Sequence, residues 1–277
     1  MSREATIETT LTVQGVTIPK LGFGTWRIGG AACVEAVRDA LELGYDHIDT
    51  ARAYGNEAQV GQALHDSGRN RDEVFVTTKL WYSDLAAIGV HDQLEESLRD
   101  LRTEYVDLLL IHWPNPRTPL AETLAAMLEA RDAGRVRHIG VANFPSAMLR
   151  QALEHAPLLC DQVEYHPYLG QPQVLELARE RDLMITAYSP LVQGEVLRDP
   201  VIGEIAETHE RAPAQVVLRW LLDQPNVAAI PKAASREHRA ANLEVFDFEL
   251  TDEQRGRIAG LERGRRTIAP SWAPAWD

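Results

Sequence analysis

Residues 74–112 read VFVTTKLWYSDLAAIGVHDQLEESLRDLRTEYVDLLLIH, and their pattern decides the architecture. Val74 to Lys79 is a short run of strand-favouring residues that ends on a lysine. Ile88 to Leu101 carries its apolar residues at helical spacing. Val106 to His112 is a second apolar strand, ending on a histidine. Strand, helix and strand joined in this way form one parallel βαβ unit. The alternation extends upstream. Leu21 to Trp26 reads as a strand, Ala32 to Leu43 as a helix stopped by Gly44, His47 to Asp49 as a strand and Glu57 to Ser67 as a helix. Downstream, strands are expected at 138–142, 161–165, 183–188 and 227–230. Helices are expected at 120–133, 146–155, 172–181, 201–209, 214–223 and 237–243. A hairpin at 11–19 precedes the series, and a helix at 251–261 follows it, with Thr251 and Gln254 placed as a capping box. Counted from Leu21, eight strands each lead into a helical stretch, with no linker between them. This predicts an α/β fold of one domain over 1–277, a (β/α)8 TIM barrel with an N-terminal hairpin cap and an extra C-terminal helix. An open doubly wound sheet fits less well. Leu21-Gly-Phe-Gly24 has only two glycines, so no G-x-G-x-x-G follows the first strand.

The charge balance narrows the partners. With 28 basic against 41 acidic residues, the net charge of −13 disfavours nucleic acid and anionic membrane surfaces. Cys33 and Cys160 lie far apart, without metal-ligand spacing or a disulfide framework. The polar opening MSREATIETTL lacks the apolar core of a secretory leader. No run approaches the roughly 18 apolar residues of a membrane helix. A cytoplasmic protein without a membrane partner is expected.

Barrel chemistry sits at the C-terminal ends of strands and in the loops that follow. That rule selects Asp49, Tyr54, Lys79, His112, Asn143, Gln162, Glu164, Tyr188 and Lys232. Taken singly, each has an ordinary structural reading: a cap, a snorkelling lysine, a core histidine, a loop tyrosine. Taken together, Asp, Tyr, Lys and His around three consecutive strand ends point to a site, because ionisable groups closing apolar strands are costly unless paired or open to a cavity.

At this point the chain resembles the aldo-keto reductases, in particular the bacterial branch that contains 2,5-diketo-gluconate reductases. The likeness is carried by GYDHIDTARAYGNEAQVG (44–61), TTKLW (77–81), LIHWP (110–114), GVANF (140–144), QVEYHP (162–167), AYSPL (187–191) and IPK (230–232), in the family's order from about Leu11 to Leu261. The resemblance implies NADPH-dependent reduction of an aldehyde or ketone by hydride transfer. Tyr54 would be the proton donor. A free phenol has a pKa of about 10, so Lys79 would lower it, Asp49 would hold Lys79 charged, and His112 would orient the carbonyl. Asn143 and Gln162 would bind the nicotinamide carboxamide, and Tyr188 would stack under the ring. Ser189, Leu191, Gln193 and Gly194 would line the pyrophosphate. Lys232 and His238 would face the adenosine 2′-phosphate, and Asn242 the adenine. No metal is expected, and the family's usual state in this branch is a monomer.

Several positions depart from the family pattern. Ala142 stands where a serine usually precedes the asparagine, removing a hydrogen bond worth about 1 kcal/mol. Ala233, His238 and Ala241 replace the usual hydroxyl residue, arginine and glutamate at the adenosine end. A histidine offers one donor where arginine offers a charged fork. NADPH is therefore expected to be preferred with some NADH use, unless Arg236 or Arg239 compensates. Asp46 replaces an arginine, with packing or charge effects only. Trp26, Trp81 and Trp113 are expected around the substrate, with Phe144 and the tail residues Trp272 and Trp276 as further walls. Such walls suit a small carbonyl compound, including α-dicarbonyls such as methylglyoxal. No basic clamp for a carboxylate is evident beyond Lys79. The main rival is a non-catalytic nicotinamide-binding or redox-sensor protein on the same barrel. A Schiff-base lysine at Lys79 leaves the cofactor-like segments unexplained. A metal hydrolase lacks a second histidine near His112 other than His166.

Overall fold

The computed structural model describes residues 8–277. The first seven residues, the beginning of the polar opening noted above, lie outside the described residues. Strands β1 (Thr10–Val13) and β2 (Val16–Pro19) form the expected hairpin. Its two-residue turn is Gln14-Gly15, both at positive φ (50° and 77°), the geometry that matches the twist of a hairpin. Gln14 bonds the Leu158 and Asp182 carbonyls in the loops that enter two barrel strands. The hairpin therefore closes the N-terminal end of the barrel.

Eight parallel strands follow: β3 (Phe23–Gly24), β4 (His47–Asp49), β5 (Phe75–Leu80), β6 (Val106–Ile111), β7 (Val136–Ala142), β8 (Cys160–Glu164), β9 (Met184–Tyr188) and β10 (Val227–Ala229). They pair in sequence order. The edges then meet: Leu21 bridges Ala229 in parallel, with Gly22 N–H to Ala229 O at 2.9 Å and Ala229 N–H to Lys20 O at 2.8 Å. The sheet is closed, which removes its edges and excludes the open-sheet alternative. Gly24 is required at this seam, because a Cβ there would lie 2.7 Å from the Ile230 carbonyl oxygen.

The helices are α1 (Gly30–Leu43), α2 (Glu57–Asp66), α3 (Ala87–Leu101), α4 (Leu120–Asp132), α5 (Ser146–His155), α6 (Pro172–Arg181), α7 (Pro200–Thr208), α8 (Pro213–Leu222), α9 (Arg236–Leu243) and α10 (Asp252–Ala259). Gly44 stops α1 in the left-handed conformation at φ 104°. Thr251 and Gln254 exchange both capping-box bonds at the start of α10. Among the described residues no helix is long and apolar enough to cross a membrane.

Strand parity positions the site. Leu109 and Ile111 belong to the layer between sheet and helices, whereas Leu108 and Leu110 pack inside the barrel with Ala142, Cys160, Met184 and Ala228. Side chains alternate along a strand. The next inward positions toward the mouth are therefore His112 after β6 and Gln162 and Glu164 on β8. Ile48 and Val76 lie in the outer layer, so Asp49 and Lys79 also turn inward. β6 ends at Ile111, one residue short of expectation, but His112 N–H still bonds Leu80 O at 3.0 Å.

The helix ring has its own close approach. A Cβ at Gly61 of α2 would lie 2.3 Å from the Asp100 carbonyl oxygen of α3. Gly61→Ala is expected to destabilise the protein by about 1–3 kcal/mol through overpacking. Urea denaturation checks this; an unchanged midpoint would contradict the packing of α2 on α3.

Candidate active site

Lys79, with no exposed surface, donates to Asp49 Oδ1 at 2.6 Å, to the Thr50 carbonyl at 2.8 Å and to Tyr54 Oη at 3.4 Å. The other Asp49 oxygen accepts from Gln162 Nε2 at 2.8 Å. Tyr54 reaches this pair from the single-turn helix Arg52–Tyr54. That turn is pinned by Arg52, which bonds Glu57 at 2.5 Å, Glu96 at 2.7 Å and Asp100 at 2.8 Å. The His112 ring stands edge-on to Tyr54 (5.6 Å between centroids) and to Trp81 (5.4 Å). Asp49, Tyr54, Lys79 and His112 thus come together at one place.

The protonation states follow from burial. Tyr54 is pushed well above the usual phenol value by desolvation, and the Asp49 charge adds to the rise. This rise is opposite in direction to the lowering expected from Lys79. Lys79 is lowered by burial against the opposing pull of Asp49. His112 is lowered well below the usual imidazole value by burial and by the Lys79 charge. Its Nδ1 is buried without a partner among the described residues, so Nε2 is the nitrogen left for the cavity.

Asp49, Tyr54 and His112 line a cavity of about 510 Å³, together with Trp26, Trp81, Trp113, Asn143, Gln162, Tyr188 and Ser189, whereas Lys79 is buried behind them. Asn143 sits at φ 63° immediately after β7. Its amide accepts from Tyr188 Oη at 2.7 Å and donates to the His112 carbonyl at 2.9 Å. A second cavity of about 490 Å³ shares Trp26, Arg27, Ser189, Pro190 and Lys232 with the first. It is lined further by Leu191, Gln193, Gly194, His238 and Asn242. Every residue singled out for the cofactor faces one of these two joined cavities. The loop after β9 is bent tightly, with Ser189, Val192 and Gln193 at φ 47°, 51° and 53°. Left-handed backbone in a β-branched residue such as Val192 is rare outside functional loops. The donor set suits a dinucleotide: two amides and an aromatic face at one end, exposed cationic side chains at the other.

The expectations for Arg236, Arg239, Phe144 and Trp276 need correction. Arg236 and Arg239 do not serve the groove, because both pair with Asp39 of α1. Arg239 is buried, with its guanidinium on the Ala233 and Ala234 carbonyls. Phe144 is fully buried in the outer layer and lines neither cavity. Trp272 is a wall of the first cavity, stacked on Tyr82 at 4.1 Å, whereas Trp276 packs behind it on Trp113 and Arg266. Asp46 pairs with Arg69 at 2.7 Å. His166 is committed to Glu164 at 3.0 Å.

Two features escaped the sequence reading. Arg27 lines both cavities with its guanidinium over the Trp26 ring, so the mouth carries a cation besides Lys232. Its position directly after Trp26 was the available signal. Glu164, fully buried, accepts from Thr267 N–H at 2.7 Å, from Ile268 N–H at 2.9 Å and from the Thr267 hydroxyl. Burial alone would raise its carboxyl, but the donors from His166, Thr267 and Ile268 outweigh it and hold it low. Glu164 thereby seats the tail segment that walls the cavity.

The chain matches the aldo/keto reductase family model over residues 20–263. It is 40% identical over 270 residues to methylglyoxal reductase DkgB of Salmonella typhi, covering 95% of this chain and all of that protein. It is also 40% identical over 257 residues to a 9,11-endoperoxide prostaglandin H2 reductase of Trypanosoma cruzi, covering 91% of this chain and 90% of that one. A crystal structure given as a candidate 2,5-diketo-D-gluconic acid reductase B superposes with a TM-score of 0.94 at 43% identity, over 97% of each chain. Closed barrel, strand-end cluster and full-length similarity agree: the chain belongs to the aldo/keto reductase family, oxidoreductases that act on small carbonyl compounds and generally use a nicotinamide coenzyme.

Proposed function

We propose that this protein reduces small aldehydes or ketones, α-dicarbonyls such as methylglyoxal among them, with NADPH preferred and NADH accepted. The observation that carries the reading is the contact of Tyr54 Oη with the Lys79–Asp49 pair, in the cavity that also holds the Asn143 and Gln162 amides. A bound reduced nicotinamide supplies the hydride. The Asn143 and Gln162 amides hold its carboxamide, the Tyr188 face supports the ring, and Ser189, Leu191, Gln193 and Gly194 follow the pyrophosphate. His112 Nε2 and Tyr54 Oη hold the substrate carbonyl oxygen. As charge grows on that oxygen, Tyr54 gives up its proton and the positive Lys79 stabilises the phenolate left behind. Asp49 keeps Lys79 charged and aimed. In the oxidation direction the phenolate is the base. Trp26, Trp81 and Trp113 exclude water from the substrate. We also propose a single-domain cytoplasmic monomer; light scattering on the purified chain reads its oligomeric state.

Tyr54→Phe is expected to cut kcat by about 10²–10⁴-fold with coenzyme affinity retained. Stopped-flow turnover beside a fluorescence titration of coenzyme checks both, and a fully active variant overturns the donor assignment.

The pH profile follows from the shifts above. His112 is held neutral, so it creates no acid limb near its usual value of about 6.5. Burial holds Tyr54 protonated above the usual phenol range, so the alkaline loss of reduction tracks Lys79, which titrates below its ordinary value. Reduction is expected to be flat through the neutral range and to fall at high pH. Oxidation, which uses the Tyr54 phenolate beside a positive Lys79, is expected to rise with pH through the neutral range and to fall as Lys79 loses its charge. An acid limb at about pH 6–7 that vanishes in His112→Gln would contradict this.

At the adenosine end, Lys232 and His238 line the groove while Arg236 and Arg239 are tied to Asp39. His238→Arg is expected to raise the NADPH over NADH ratio of kcat/KM by about tenfold, through a charge-assisted bond to the 2′-phosphate. Parallel kinetics with the two coenzymes decides it; a wild-type preference for NADH would reverse the assignment.

A further inference from the structure

Gln162 has two functional ends. It turns inward from β8, almost fully buried, and donates to the Asp49 oxygen that Lys79 leaves free. A carboxylate oxygen only accepts, so the amide must present its nitrogen there, and its orientation follows. The Oε1 end then has no protein partner among the described residues and forms part of the cavity wall. Asn143, the other amide on that wall, has one protein bond at each end, to Tyr188 and His112, and keeps a second N–H and a second lone pair. Ala142 offers no hydroxyl. Gln162 Oε1 is therefore an amide acceptor at this end of the cavity that no described residue occupies.

We propose that Gln162 is a positioning residue for the Lys79–Asp49 pair, and that its amide couples this pair to a carboxamide bound in the cavity. The coupling is a polarisation effect. An amide that donates to a carboxylate becomes a better acceptor at its carbonyl, and a carboxamide N–H on that carbonyl strengthens the bond to Asp49 in return. Coenzyme recognition and the setting of the proton-donor cluster would thus share one side chain. The coenzyme half rests on the nicotinamide reading above; the Asp49 half does not.

The chain carries lysine only at positions 20, 79 and 232. Lysine labelled with ¹³C at Cε therefore gives three signals, and Lys79→Met identifies the one from Lys79. In the coenzyme-free protein, Gln162 stabilises the Asp49 carboxylate most when Lys79 is neutral and gives it no ion pair. Loss of the amide therefore favours protonated Lys79. Gln162→Met, and Gln162→Asn with its shorter reach, are expected to raise the Lys79 titration midpoint by about one pH unit. In an Asp49→Asn background the same substitutions are expected to leave the midpoint in place. Melting curves and near-UV circular dichroism confirm that each variant is folded. An unchanged midpoint, or an equal shift in both backgrounds, overturns the positioning role.

For the coupling, NADP⁺ is compared with its 3-acetylpyridine analogue, which has the same charge but no carboxamide N–H. The two are expected to move the Lys79 midpoint by different amounts in the wild type and equally in Gln162→Met. Equal effects in the wild type overturn the coupling. Absence of binding by either coenzyme would instead contradict the nicotinamide reading, while the coenzyme-free titration still decides the positioning role.

Discussion

A lysine and an aspartate lie side by side in the mouth of a closed barrel, both almost wholly out of water, and the site is organised around that fact. Taking two ions out of water costs several kcal/mol each, and their attraction offsets this only when the remaining donors and acceptors are met. They are met here. Lys79 has three oxygen acceptors, on Asp49, Thr50 and Tyr54, and Asp49 has two donors, on Lys79 and Gln162. The pair therefore dictates where the turn carrying Tyr54 sits and which way Gln162 faces. It also sets the local field, depressing His112 by the nearby positive charge and raising Tyr54 by the negative one, each on top of burial.

A second buried carboxylate, two residues beyond Gln162 on β8, performs a different task. Glu164 takes donors from His166, Thr267 and Ile268, and so joins the chain's last segment to the barrel mouth. The tail is seated again where Asp277 accepts from the Ser146 N–H at 2.7 Å at the start of α5. Between these anchors Trp272 leans on Tyr82, Trp81 and Trp113. Gln162 and Glu164 share one face of β8. One strand thus links the proton-donor cluster to the wall that shapes the substrate space.

The architecture was legible because each βα unit punctuates itself. The helices at 146–155 and 172–181 have the boundaries expected of them, and Gly44 stops α1 where predicted. Several strands moved by a residue, as in β5, β6 and β8, because ladder pairing with both neighbours decides a strand's end and no local residue marks it. Eight βα units were enough to predict a barrel, but the seam that closes it was beyond a local reading, since it depends on Leu21 and Ala229 meeting across almost the whole chain.

Residue type and chain position alone were enough to select Asp49, Tyr54, Lys79 and His112, and to mark the ends at which Asn143, Gln162, Tyr188 and Lys232 stand. Strand-end placement is a local property, so a sequence can display it. Which groups are partners, and which charges prevail, depends on distances between segments far apart in the chain and on how much water reaches them. Tertiary structure alone decided that Tyr54 is raised, that Arg236 and Arg239 turn to Asp39, that Arg27 joins the groove and that Glu164 holds the tail. Coulomb and desolvation energies vary with position in space, and the closed barrel sets those positions.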